Sequence, residues 1–167
     1  MIKKHLGKIV AGVAILLGLI AVLLIFAPAI VPKSQYKDLA GDDANISGWD
    51  IAFGAQEEGV STYVASAYML AFILPLVGVI LAVVALLGKG GKIVPIIAAV
   101  CFLAGGIVYF LPLDTISMNK DLVGDNMATI RDAMKLSMTA GAGAIVGGIF
   151  SILAAAASCA TLFIKKN

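Results

Sequence analysis

Residues 59–88 read GVSTYVASAYMLAFILPLVGVILAVVALLG, a run without a single Asp, Glu, Lys, Arg or His. A helix rises about 1.5 Å per residue, so about 20 apolar residues cross a hydrocarbon core about 30 Å thick. The run is long enough to span a membrane. Three more charge-free runs accompany it, at 9–32, 93–113 and 136–164, and together the four take up most of the chain. Of the 167 residues, 61% are hydrophobic and 13% charged, and the mean hydropathy is +1.05. Soluble chains hold roughly 45–50% apolar and about 25% charged residues. A water-soluble globule is therefore excluded, because four core helices of this length would have no polar shell to bury them.

The expected fold class is an all-α membrane protein, a four-transmembrane-helix bundle forming one domain over 1–167. The spans are expected at about 9–30, 62–87, 93–112 and 136–164, with an outer loop at 31–59, an inner turn at 88–92 and an outer segment at 113–135. The first run follows Lys3, Lys4 and Lys8, as in a secretory signal peptide. Its apolar length exceeds the usual signal core of about 7–15 residues, so a retained anchor is expected.

Orientation follows from the cations. With four spans and both termini on one side, that side receives Lys3, Lys4, Lys8, Lys89, Lys92, Lys165 and Lys166 and no carboxylate. The other side receives Lys33, Lys37, Lys120, Arg131, Lys135 and all 10 Asp and Glu residues. Cytoplasmic loops are enriched in Lys and Arg, so both termini and the 88–92 turn are expected in the cytoplasm and the protein in the plasma membrane. The net charge of +2 hides this asymmetry and is no sign of nucleic-acid binding. The basic rim suits anionic lipid headgroups.

In the outer loop, Trp49, Ile51 and Phe53 alternate with Asp50 and Ala52, the period of a short strand packed on one face. The turn formers at 41–45 let 36–39 pair back as the other arm of a β-hairpin. The competing reading is that the apolar triplet caps the helix ends at the membrane surface, where Trp and Tyr concentrate. In the second outer segment Met127, Ile130, Met134 and Met138 recur at helical spacing, with Asp125 or Asn126 as N-cap. The fourth helix is thus expected to run unbroken over 126–164, about 39 residues or about 58 Å, and the first outer loop to pack against its projecting part.

Small residues form stripes on three spans: Ala11, Ala14, Gly18 and Ala21; Ala67, Ala71, Pro75, Gly78, Ala82 and Ala85; and Gly143, Gly147, Ser151, Ala155 and Ser158. They let helix backbones approach closely in lipid. They serve either internal packing or, through the Gly143, Gly147 and Ser151 face, contact with another helix.

Reactive chemistry is sparse. Cys101 and Cys159 both lie in spans with no Cys-x-x-Cys, which argues against thiol-redox function and suggests two small buried residues. His5 is the one histidine, so paired-histidine metal or haem sites are excluded. No triad, zinc-helix or phosphate-loop motif occurs, and an enzyme is not expected. The spans hold no ionisable group of the kind coupled carriers use. Asp43, Asn45 and Ser47 followed by Gly48 match the first half of a calcium loop, but position twelve is Gly54 where a bidentate Glu belongs. They are kept as candidate oxygen ligands; otherwise no metal site and no cofactor is expected.

The order of four spans, inner termini, a longer first outer loop with strand character and Trp49, a short inner turn and a shorter second outer loop resembles the claudin and peripheral-myelin-protein type of tetraspan. The resemblance is one of layout, since the family's Gly-Leu-Trp and loop cysteine pair have no counterpart here. It implies a lateral-interaction protein whose outer loop meets partners. The expected function is a non-enzymatic accessory, assembly or scaffold subunit in contact with the lipid bilayer and with other membrane proteins or itself, and not with nucleic acid. Trp49, Ile51 and Phe53 are the expected outer contact or loop anchor, and Gly143, Gly147 and Ser151 the expected helix contact. The alternative is an oligomeric channel or small solute carrier.

Overall fold

In lipid a backbone must satisfy its own hydrogen bonds, so apolar runs of this kind fold as helices. The computed structural model describes residues 2–41, 44–57 and 60–164. In chain order the elements are α1 (Ile2–Leu23), β1 (Pro28–Pro32), α2 (Lys37–Ala40), β2 (Ile46–Ser47), α3 (Gly48–Phe53), β3 (Gly54–Glu57), β4 (Val60–Val64), α4 (Leu70–Leu86), α5 (Ile93–Tyr109), α6 (Pro112–Thr115), α7 (Lys120–Val123), α8 (Met127–Ser137), β5 (Met138–Ala140) and α9 (Ala142–Ile164). Short 3-10 turns extend α1 to Phe26 and begin α4 at Ala67.

Among the described residues three helical segments are long and apolar enough to cross a membrane: His5–Phe26, Ala67–Leu86 and Ala142–Ile164. The run expected as the third span folds as α5, an apolar helix of 17 residues that is shorter than these three. The four long helices close into a ring, α1 beside α4 and α9, and α5 beside α4 and α9.

The small-residue stripes make that ring possible. A Cβ on Gly18 would sit 2.5 Å from the Phe102 ring, and one on Gly78 would sit 2.9 Å from it, so this buried ring fills space that two glycines leave open. Gly105 in turn accepts Pro75, whose ring would lie 2.5 Å from an added Cβ. Ala11, Ala14 and Ala21 are buried along α1.

At one end of the ring, the sheet end, β1 lies between β2 and β5 in an antiparallel sheet. Ile30 pairs with Ala140, Val31 with Thr139 and Pro32 with Met138. A separate hairpin joins β3 to β4, with Gly54 opposite Val64 and Ala55 opposite Tyr63.

Several expectations are corrected. The first span ends earlier than 30: Pro28 favours an extended residue before it, Ala27 has φ −80 and ψ 159, and a strand follows. The second begins at 67, because 62–64 belong to β4. Residues 49–53 form a helix where a strand was expected. Residues 36–39 fall in a 3-10 turn and α2 and supply no hairpin arm; the arms are β3 and β4. The unbroken helix over 126–164 is two helices, α8 and α9, divided by β5 and Gly141. A Cβ on Gly141 would meet the Pro28 carbonyl oxygen at 2.5 Å, and its N–H donates to Ala29 O at 2.8 Å, so the chain here is held as a strand against β1. Asn126 does precede α8, but its side chain makes no cap hydrogen bond.

Candidate contact surface at the sheet end

Ser47 starts α3. Its Oγ accepts the Asp50 N–H at 3.1 Å and donates to Asp50 Oδ2 at 2.7 Å, a reciprocal cap that satisfies a free donor of the first turn. Gly54, at φ +93, ends the helix where a side chain would be strained. Tertiary bonds then fix it in place: Gly48 N–H donates to Ala27 O at 3.2 Å, Ser66 Oγ donates to Ile51 O at 2.7 Å, and Ser66 N–H donates to Ala52 O at 3.2 Å. The six-residue helix is thereby pinned between the end of α1 and the approach to α4.

Its faces divide sharply. Ile51 and Ala52 are fully buried against Ile25, Tyr68 and Ile116 in the core of the sheet end. Trp49 and Phe53, four positions apart and so on one helix face, are 37% and 36% exposed, with ring centroids 4.3 Å apart. Phe26 stacks on Trp49 at 5.0 Å, and Phe72 meets Trp49 and Phe53 edge-on at 5.8 and 5.7 Å. Four aromatic rings from three separate segments thus form one cluster. Of the expected contact triplet, Trp49 and Phe53 are on the surface; Ile51 is withdrawn into the core and offers nothing to a partner.

The rest of the sheet end is tied down by charge. Lys33 Nζ donates to the carbonyls of Lys135 and Leu136 at 2.7 and 2.9 Å, placing a cation on the C-terminal turn of α8, where the helix dipole favours it. Lys135 pairs with Asp114. Arg131 donates to Ile116 O at 3.0 Å. The 31–59 segment and the amphipathic α8 do meet, through Lys33 and through the pairing of β1 with β5.

The expected helix-contact residues are turned inward. Gly143 lies against the Ala27 and Pro28 carbonyls, Gly147 against the Tyr109 ring, and the buried Ser151 donates to Phe102 O at 2.6 Å. Their face is occupied within the chain, which corrects their assignment to contact with another protein. Tyr109, also fully buried, donates its hydroxyl to Ala21 O, and Tyr68 donates to Tyr109 O at 3.4 Å. The buried Ser158 Oγ, like Arg131 Nε, has no hydrogen-bond partner among the described residues.

Of the candidate oxygen ligands, Asp43 lies outside the described residues, Asn45 is exposed, and the Ser47 hydroxyl is engaged as the α3 cap. Among the described residues no three His, Cys, Asp or Glu side chains gather as a metal site would require. Cys101 is half-buried and Cys159 exposed, so neither is the buried core residue expected.

Phe26, Phe72, Lys33, Tyr68 and Tyr109 were not foreseen as functional. Phe26 and Phe72 lie inside the 9–32 and 59–88 runs, away from their ends, so the runs alone do not mark them. No protein-family model matches this chain, and no curated protein or solved structure does either.

Proposed function

We propose that this chain is a four-pass protein of the plasma membrane, with both termini and the 88–92 turn in the cytoplasm. In this reading α5 also crosses, as the third of four spans in chain order, and the sheet end faces outward. The chain acts without chemistry of its own, as an accessory or assembly subunit in lateral contact with other membrane proteins. The claudin-like layout accords with this, since strands and Trp49 lie in the longer outer segment. So does the concentration of Lys8, Lys89 and Lys92 at the end opposite the sheet.

The observation that carries the proposal is where the buried hydroxyls go. Ser66, Tyr68, Tyr109 and Ser151 each donate to a backbone carbonyl of a different element, so these polar groups brace the bundle and its outer cap. What the chain offers its surroundings is surface. Part of that surface is apolar within a charged setting: Leu122 and Leu136 are 54% and 71% exposed on α7 and α8.

Extraction of the native membrane in mild detergent, followed by mass spectrometry of the intact assembly, tests this. A stoichiometric larger membrane protein is the expected companion. Purified protein that migrates alone and conducts ions or passes solute in liposomes would overturn the reading.

A further inference from the structure

The aromatic cluster of Phe26, Trp49, Phe53 and Phe72 has a position as well as a composition. Phe26 is the last residue of one candidate span and Phe72 lies in the first turn of α4, within another. The cluster therefore sits at the level where two neighbouring apolar helices emerge. Its exposed edge continues into apolar side chains on those helices: Leu19 and Leu23 lead up α1 to Phe26, and Ile73 and Met69 flank Phe72, all exposed. The stretches of chain that carry these side chains, 9–32 and 59–88, hold no charged residue. On α3 itself Ile51 and Ala52 face the core and Asp50 is engaged by Ser47, leaving Trp49 and Phe53 on the side that joins the exposed faces of α1 and α4.

We infer that α3 is an in-plane membrane anchor, with Trp49 and Phe53 seated at the headgroup and glycerol level of the leaflet that α1 and α4 leave at the sheet end. The occupant of this surface is phospholipid. An indole ring favours that level, where its apolar body and its N–H donor meet both environments, and a phenyl ring beside it buries its apolar surface at the acyl boundary. The hydrogen bonds from Gly48 to Ala27 and from Ser66 to α3 then transmit the anchor to the span ends, so the sheet is held at a fixed height above the bilayer.

The chain has a single tryptophan, which reports on its own surroundings. The whole protein is reconstituted in phosphatidylcholine vesicles and its tryptophan emission recorded with three quenchers: lipid brominated near the ester linkage, lipid brominated near the chain end, and aqueous iodide. The expected result is blue-shifted emission that loses most of its intensity to the shallow bromines, less to the deep bromines and little to iodide. Strong quenching by iodide with none by brominated lipid would place Trp49 in water and overturn the anchor. Shielding from both would mean that protein covers the ring, a second copy or a partner, and would overturn it equally. A Trp49→Phe protein, which keeps an aromatic residue at that position, must lose the signal, so that none of it is assigned to tyrosine.

Discussion

Gly147 shows how little room single positions leave. A methyl group there would lie 2.7 Å from the ring of Tyr109, which is fully buried and whose hydroxyl is bonded to Ala21 O. Neither the ring nor its hydroxyl can shift without loosening α1 from α5. Gly147→Ala is therefore expected to destabilise the protein by about 1–3 kcal/mol, the usual cost of overpacking, seen as a lower thermal midpoint in detergent micelles. Gly12, in the middle of α1, supplies the contrast, since a Cβ there meets nothing within 4 Å. Gly12→Ala should be neutral or raise stability by about 0.5–1 kcal/mol, because alanine loses less backbone freedom in a helix. If the two variants behaved alike, the packing role of Gly147 would be refuted. The same geometry bears on partner binding: a bulky residue at 147 that abolished a complex would report a displaced Tyr109, because the glycine itself faces inward.

At the scale of elements, α3 depends on its first residue pair. Ser47→Ala removes the cap and leaves the Asp50 N–H without its acceptor and Asp50 Oδ2 without its donor, for an expected loss of about 1 kcal/mol; Ser47→Thr, which restores both, should recover most of it. Chemical denaturation of the two variants in micelles checks both. This cap was legible in advance, because Ser-x-x-Asp at 47–50 is a helix-start pattern. The alternation of Trp49, Ile51 and Phe53 points to a strand instead, although five residues are too few to separate a period of two from a helix that buries one side and exposes another. The α8 to α9 break was hidden for a different reason. Met127, Ile130, Met134 and Met138 keep helical spacing across it, and what unwinds the chain is the pairing of 138–140 with β1, about a hundred residues earlier. Long-range strand pairing leaves no local trace. The apolar runs and small-residue stripes, by contrast, were plain, since their cause is the lipid environment and close backbone approach acting along one helix at a time. Of the residues expected to make contacts, Trp49 and Phe53 do lie on the surface, whereas the inward turn of Ile51, Gly143, Gly147 and Ser151 depended on which helix faces met.

At the scale of the molecule, the apolar helices are unequal, and the inequality makes the four-pass proposal measurable. The candidate spans hold 22, 20 and 23 residues, whereas α5 holds 17. At about 1.5 Å per residue α5 extends only about 26 Å, short of a typical core of about 30 Å. Longer helices meet a thin bilayer by tilting, but a short one in a thick bilayer must thin the lipid around it or draw its polar ends inward. Lys92, exposed just before α5, eases this by reaching outward along its stem, while Pro112, buried just past the other end, has no such reach. If α5 crosses, the protein should fit membranes thinner than average. Its thermal midpoint, measured in phosphatidylcholine vesicles of increasing monounsaturated chain length, should peak at the shorter chains and fall steadily as the bilayer thickens. A midpoint that rose with thickness would mean that the longer spans alone set the match, and α5 would not be a crossing helix.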